Sequence, residues 1–237
     1  GREPLAELLL RQALRRSPDH LQSTSHLAMV LAGRGEAVAA EGAFRTALHL
    51  DPAHLPSLIS YAALLADPPP PSNASLYAGS IPPPTHLVTV LTGGSVEEER
   101  RRVAKADSLL RTALHLDPDN VRGLVARGKV LFQLDELHLS EQSLRHALAL
   151  APGDWEGLAN YGVLLVRGRG DVLNGDQYLQ RALHAAPPGP MREAISGLRE
   201  QVLKNGADDV PDVLRDVDRV RWEDRHKNSD ASRAPYT

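Results

Sequence analysis

An eight-residue phrase, Arg-Thr-Ala-Leu-His-Leu-Asp-Pro, occurs at 45–52 and again, letter for letter, at 111–118. Looser copies, Arg-x-Ala-Leu with a Pro five residues after the Ala, run from Arg11 to Pro18 and from Arg145 to Pro152. A last copy at 180–187 has Gln180 in place of the Arg. The starts lie 34, 66, 34 and 35 residues apart, so the period is 34 with one insertion of 32. Repetition at this period means stacked supersecondary units, none of which buries its apolar face alone. Leu, Ala and Arg dominate and only 4% of residues are aromatic, a composition suited to helices.

Within each period, apolar residues recur at helical spacing, and the closing Pro stops one helix so that the next can begin. Residues 4–17 read as a helix with Pro4 in its first turn and Ser17-Pro18 at its end. It is the second half of a unit whose first half is missing, an end that calls for further repeats, a cap or a partner. Complete units cover 21–54 and 121–154. A split unit opens with Leu58, Tyr61, Ala62 and Leu65 and resumes with Ala106, Leu110 and Ala113. The last unit carries Leu158, Tyr161, Gly162, Leu165, Leu179 and Ala182, with one extra residue near its turn.

Leu27, Ala28 and Leu31 in one helix, Ala40, Phe44 and Ala47 in the next, and Pro52 at the exit resemble the tetratricopeptide repeat. The resemblance recurs in five copies over about 4–187. Small residues let two helices approach, and large ones fill the space beside them. Thr24 departs from the family's large residue, and Arg127 occupies a normally buried position, from which its long stem reaches toward water. The resemblance implies an all-α, right-handed α-solenoid of helix–turn–helix repeats with a C-terminal capping helix and one long Pro-rich insertion. The expected division is a solenoid over 1–203, interrupted at about 66–95, then an amphipathic helix and tail over 204–237. The cap starts at Pro190, carries Met191, Ala194, Ile195, Leu198 and Val202, and closes at Asn205-Gly206. Val213, Leu214, Val217 and Val220 mark a further amphipathic stretch at 211–224, whose Asp212, Asp216 and Asp218 could fold back toward Arg122 and Lys129.

The insertion falls between the two helices of one unit. Pro runs at 68–71 and 82–84 are stiff and extended, and Asn73-Ala74-Ser75 is formally a glycosylation acceptor. Leu87, Val88, Val90 and Leu91 form a strand-like run bounded by Gly93-Gly94. It packs on its own solenoid, adds to a partner's sheet edge, or stays disordered. Ser95 and Glu98 form a capping box, and from there a helix runs to about 116, longer than its siblings by a turn or more. It carries i,i+4 pairs Glu97–Arg101 and Glu98–Arg102.

No residue pattern carries catalysis. His49, Asp51 and His54 cluster at a turn, but His115 and Asp117 recur at the same repeat position, which favours a structural role over a metal site. Gly33-Arg34-Gly35 and Gly168-Arg169-Gly170 occupy equivalent turns, so neither a nucleotide loop nor the Arg-Gly-Asp tripeptide at 169–171 is read as functional. Without Cys there is no disulfide or thiolate chemistry, and a net charge of −3 gives no basic field for nucleic acid or membranes. No cofactor, metal or small-molecule substrate is expected, and the location expected is intracellular, in the cytoplasm. Gly1 in place of an initiator Met suggests a processed or cut segment.

The resemblance further implies that the first helices line a groove for a partner polypeptide, either a peptide or a helix. The groove positions it assigns include Gln22, Ser25, His26, Met29, Ile59, Ser60, Ala63, Arg122, Val125, Lys129, Phe132, Glu156, Asn160, Val163 and Val166. Phe132, Ile59 and Met29 are expected as anchors, and Arg122 and Lys129 as orienting polar contacts. The function expected is a non-catalytic interaction scaffold or adaptor, a subunit of a larger complex. The alternative is the accessory or substrate-recruiting region of a larger enzyme. Arg122, Lys129 and Asn160 do not match the clamp that holds chaperone tails, Asn160 alone makes no asparagine ladder, and an RNA-binding repeat lacks its basic face.

Overall fold

A computed structural model of the chain describes residues 3–68 and 96–208. Among these residues there are ten helices and no strand: α1 (Glu3–Arg16), α2 (Leu21–Gly33), α3 (Ala37–Leu50), α4 (Leu55–Ala66), α5 (Val96–Leu116), α6 (Val121–Gln133), α7 (Leu137–Leu150), α8 (Trp155–Val163), α9 (Val172–Ala185) and α10 (Pro190–Asp208). They fall into two compact bodies, residues 1–160 and 161–237. In the first, α2 packs on α3, α4 on α5 and α6 on α7 as antiparallel hairpins, and each pair contacts the next through α3–α4 and α5–α6. The hairpin α4–α5 forms although residues 67–95 separate its halves. Residues 69–71 of the first Pro run, the whole second Pro run, the strand-like segment 87–91, Ser95 of the capping box and the stretch 211–224 lie outside the described residues.

The repeated residues make these elements for identifiable reasons. Ala28 opposes Ala40 and Phe44, and Ala62 opposes Ala106 and Leu110; all are buried. In α6–α7 the backbones come closer still. A Cβ at Gly128 would lie 2.5 Å from Leu144 Cγ, and Ser140 Oγ donates to the Gly128 carbonyl at 2.7 Å. Side chains cap three of the first helices: His20 Nδ1 accepts from Ser23 N at 3.2 Å, Asn120 Oδ1 from Gly123 N at 2.9 Å, and Asp154 Oδ2 from Gly157 N at 2.7 Å. Thr24 is buried, its hydroxyl donating to the His20 carbonyl, and Arg127 is half-buried with its head on Asp107 at 3.2 Å.

Turns inside the hairpins need one residue in the left-handed region, supplied by Gly35 (φ 81°), Asp135 (φ 64°) and Gly170 (φ 68°). In the first two, a backbone bond spans five residues, Glu36 N to Leu31 O and Glu136 N to Leu131 O. In the third it spans six, Asp171 N to Leu165 O. The extra residue of the last unit is thus absorbed as a π-helical turn over Leu164–Gly168 rather than as a longer loop. In the second body Tyr161 meets Tyr178 edge-on at 4.7 Å, and Val166, Leu179 and Leu198 share a cluster. Arg199 closes α10 onto Asp176. α10 runs on through Asn205-Gly206 to Asp208, two residues past the expected stop, because one Gly costs a helix only about 1 kcal/mol and does not end it alone.

Candidate functional site

Four first helices of the body 1–160 turn the same face to one side, because residues about one period apart occupy equivalent positions. Met29 of α2, Ile59 and Ala63 of α4, Arg122, Val125 and Lys129 of α6, and Glu156 and Asn160 of α8 line a cleft of about 440 Å³. Its floor is apolar: Ile59, Val125 and Val130 are buried, Met29 and Ala126 half-buried, and Ala63 exposed. Its polar groups are few and partly committed. Lys129 Nζ pairs with Asp67 Oδ2 at 3.0 Å, and Asn160 Nδ2 donates to the Glu156 carbonyl of its own helix at 2.9 Å. Gln133 Nε2 donates to the Ala66 carbonyl at 3.3 Å, tying the end of α4 to α6. Arg122 is exposed at the rim and pairs with no described residue.

The groove positions taken from the family thus divide. Met29, Ile59, Ser60, Ala63, Arg122, Val125, Lys129, Glu156 and Asn160 gather at the cleft. Gln22 and His26 are exposed at the start of α2 but do not line it, and Phe132 is half-buried at the end of α6, also outside it. Ser25 is a correction: it is buried and accepts a hydrogen bond from Ser57 Oγ at 3.0 Å, since its position faces α4. Val163 and Val166 belong to the interior cluster of the body 161–237. Ile59 and Val125 form the floor from below, already covered by their own chain, so they shape the cleft more than they anchor a ligand. Leu87, Val88, Val90 and Leu91 lie outside the described residues. Asp67 and Ala126 were not anticipated. Asp67 follows α4 at the repeat position of Gly33 and Gln133, so periodicity places it, but neither equivalent is acidic and the charge itself gives no repeated signal.

Elsewhere in this body, titratable groups are used for structure. His54 is buried with Nδ1 2.8 Å from Ser57 Oγ, and Asp51 Oδ1 accepts from Ala53 N, so the turn uses both. Tyr61 donates to Glu41 Oε1 at 2.6 Å and accepts from Lys105 Nζ at 2.5 Å, linking α4, α3 and α5. The hydrogen bond from Tyr61, aided by Lys105, holds the Glu41 carboxyl below its ordinary range against a smaller opposing effect of burial. The bond to Tyr61 raises Lys105, and burial raises Tyr61. Among the described residues no three His, Asp or Glu side chains gather as metal ligands, and no helix is long and apolar enough to cross a membrane.

No family model and no curated protein matches the sequence. Solved structures do match in fold. A thermophilic TPR protein of Thermus thermophilus superposes with a TM-score of 0.63 at 21% identity, over 86% of this chain and 91% of that one. PilF of Pseudomonas aeruginosa gives 0.56 at 17% identity, over 87% and 82%. MamA of Desulfovibrio magneticus gives 0.54 at 15%, over 78% and 86%. Paired helices at a 34-residue period, small residues at each close crossing and these likenesses agree: the chain has the tetratricopeptide-repeat fold.

Proposed function

We propose that the chain is a non-catalytic scaffold that holds an amphipathic helix of a partner protein in the cleft of the body 1–160. The observation that supports this reading is the pairing of an apolar floor with an exposed cation, Arg122, that lacks a described partner. The choice of a helix over an extended peptide follows from backbone chemistry. An extended chain presents an unpaired N–H and C=O at every residue, and each must find a partner when buried. The cleft walls are helices whose own backbone groups are bonded internally, and the side-chain amides there, Asn160 and Gln133, already donate to carbonyls of this chain. A helix brings its backbone already satisfied and needs only an apolar stripe and an acidic residue placed for Arg122.

The test is affinity capture with the full chain, followed by mass spectrometry, in parallel with Ala63→Arg and Arg122→Glu. Ala63 is exposed in the cleft, so the larger side chain fills the cleft without disturbing the fold. The expected outcome is loss of the principal partner with both variants. Synthetic peptides from that partner should bind, and lose at least about tenfold in affinity when a central residue is replaced by Pro. Capture that is indifferent to both variants rules the cleft out, and tight binding of the Pro-containing peptide rules out the helix.

A further inference from the structure

Each second helix of the body 1–160 leads into the next first helix through the same turn. His20 N donates to Ser17 O at 3.2 Å, His54 N to Asp51 O at 3.2 Å, Asn120 N to Asp117 O at 3.3 Å and Asp154 N to Ala151 O at 3.1 Å. The residue that opens the turn, just before its Pro, therefore stands at the same place in all four. In two of them it is an anion bonded within the turn. Asp51 Oδ1 accepts from Ala53 N at 2.9 Å, and Asp117 Oδ2 from Asn120 Nδ2 at 3.0 Å. After α1 the place is taken by Ser17, whose hydroxyl has no partner among the described residues. Where the chain reads His-Leu-Asp at the ends of α3 and α5, it reads Arg15-Arg16-Ser17 at the end of α1. Both Arg side chains are exposed and pair with no described residue. The first turn thus has added cations and lacks the anion. Pro52, Ala53, Pro118 and Asp119 are exposed in the later turns too, so the exposure of Pro18 and Asp19 does not depend on what precedes α1.

We propose that Ser17 is a phosphorylation site for a proline-directed Ser/Thr kinase, and that its phosphate supplies the missing anion and fixes α1 on α2. Pro18 selects the kinase class, for Ser17-Pro18 is the one Ser-Pro or Thr-Pro pair in the 237 residues. A Pro has no N–H and holds the residue before it extended, as Asp51 is, so the kinase pocket beside the hydroxyl takes a ring and meets no donor. The γ-phosphoryl group of ATP passes to Ser17 Oγ. The Oγ–P bond forms as the bond from phosphorus to the β–γ bridging oxygen breaks, ADP leaves, and the hydroxyl proton goes to the base of the kinase. The phosphate, with a charge of about −1.5 to −2, then accepts from Asp19 N, the counterpart of Ala53 N, with Arg15 and Arg16 beside it. A negative group at a helix C-terminus opposes the helix dipole, and Asp19 adds repulsion. The turn after α5 already bears both costs, with Asp117 and Asp119 two residues apart and no Arg in the last turn of the helix. After α1 two Arg residues offset them.

The full chain, incubated with ATP and a purified proline-directed kinase, tests the site by mass spectrometry. One phosphate per chain is expected at Ser17, and none in Ser17→Ala. Hydrogen exchange of the modified chain tests what the phosphate does. Amides of α1 should exchange about fivefold or more slowly than in the unmodified chain, and those of α6 and α7 at the unmodified rate. Ser17→Asp should give part of this slowing without the kinase. Arg15→Gln with Arg16→Gln should reduce it in the phosphorylated chain. A chain that takes up no phosphate at Ser17 overturns the site. Exchange in α1 that is unchanged or faster after phosphorylation overturns the role of the anion, as does a Ser17→Asp chain no better protected than the unmodified one.

Discussion

Tyr61 is buried in ring and polar at its tip, and the two properties serve different helices. Its ring stacks on Phe44 at 5.8 Å inside the core, while its hydroxyl reaches Glu41 of α3 and Lys105 of α5 at the edge. Removing only the hydroxyl tests the edge without touching the core. Tyr61→Phe is expected to cost about 1–2 kcal/mol in urea unfolding, the worth of bonds to charged groups reduced because Glu41 and Lys105 are partly in water. The same contacts give a pH signature. Because Glu41 titrates below its ordinary 4.5 in the folded chain, its contribution is complete above that value and is lost as pH falls through the folded one. Lys105, raised above 10.5, contributes fully below that value and loses its contribution as pH rises through its folded one. The stability gap between the native chain and Glu41→Gln should therefore stay level near neutrality and close in acid. A gap that widens in acid would contradict the relay.

At the scale of elements, α5 is the helix that departs from its siblings. It has 21 residues where α3 and α7 have 14, and no apolar residue of its added turns is buried before Val103, although Nε and Nη2 of Arg102 are covered there. Arg101 pairs with Glu97 at 3.4 Å on this exposed stretch, a contact of small worth. Arg100→Pro should consequently cost less than about 1 kcal/mol, since the helix can begin one turn later, whereas Ser108→Pro, equally exposed but in the packed half, should cost about 3 kcal/mol or more. Chemical denaturation of the two variants reads the contrast. The longer helix could be read from Ser95, Glu98 and the charge spacing alone, as the hairpin turns could from Gly35 and Gly170. Asp135 in the same left-handed role could not, because nothing local to a Leu-Asp-Glu stretch demands that backbone. The π-turn at 164–168 showed in sequence only as a period of 35. Whether an extra residue lengthens a loop or bulges a helix depends on tertiary packing, here Gly175 against Val166 and Gly162. At the cleft, periodicity located the first-helix residues that meet there. It could not separate Met29 and Arg122, which face the opening, from Ser25, which faces α4, because an offset of four residues rotates a side chain by only about 40°.

For the whole molecule the governing feature is that contacts run between neighbours in the chain: each hairpin of the body 1–160 packs on the one before and the one after. Stability in such a fold is close to a sum of unit terms and nearest-neighbour terms, so damage should stay local. Gly128 gives a clean place to inflict it. A methyl there collides with Leu144, which is buried and pressed from every side, while Ser140 holds the Gly128 carbonyl and keeps the helices from separating. Overpacking of this kind costs about 1–3 kcal/mol, and the gain of about 1 kcal/mol from replacing Gly in a helix offsets only part of it. Gly128→Ala should thus lower stability by about 1 kcal/mol or more, and hydrogen exchange should report where. Amides of α6 and α7 should exchange faster, those of α5 to a smaller degree, and those of the α2–α3 hairpin at the native rate. Faster exchange spread evenly over 1–160 would instead mean that the hairpins unfold as one cooperative block, and that the 34-residue unit is a unit of sequence and not of stability.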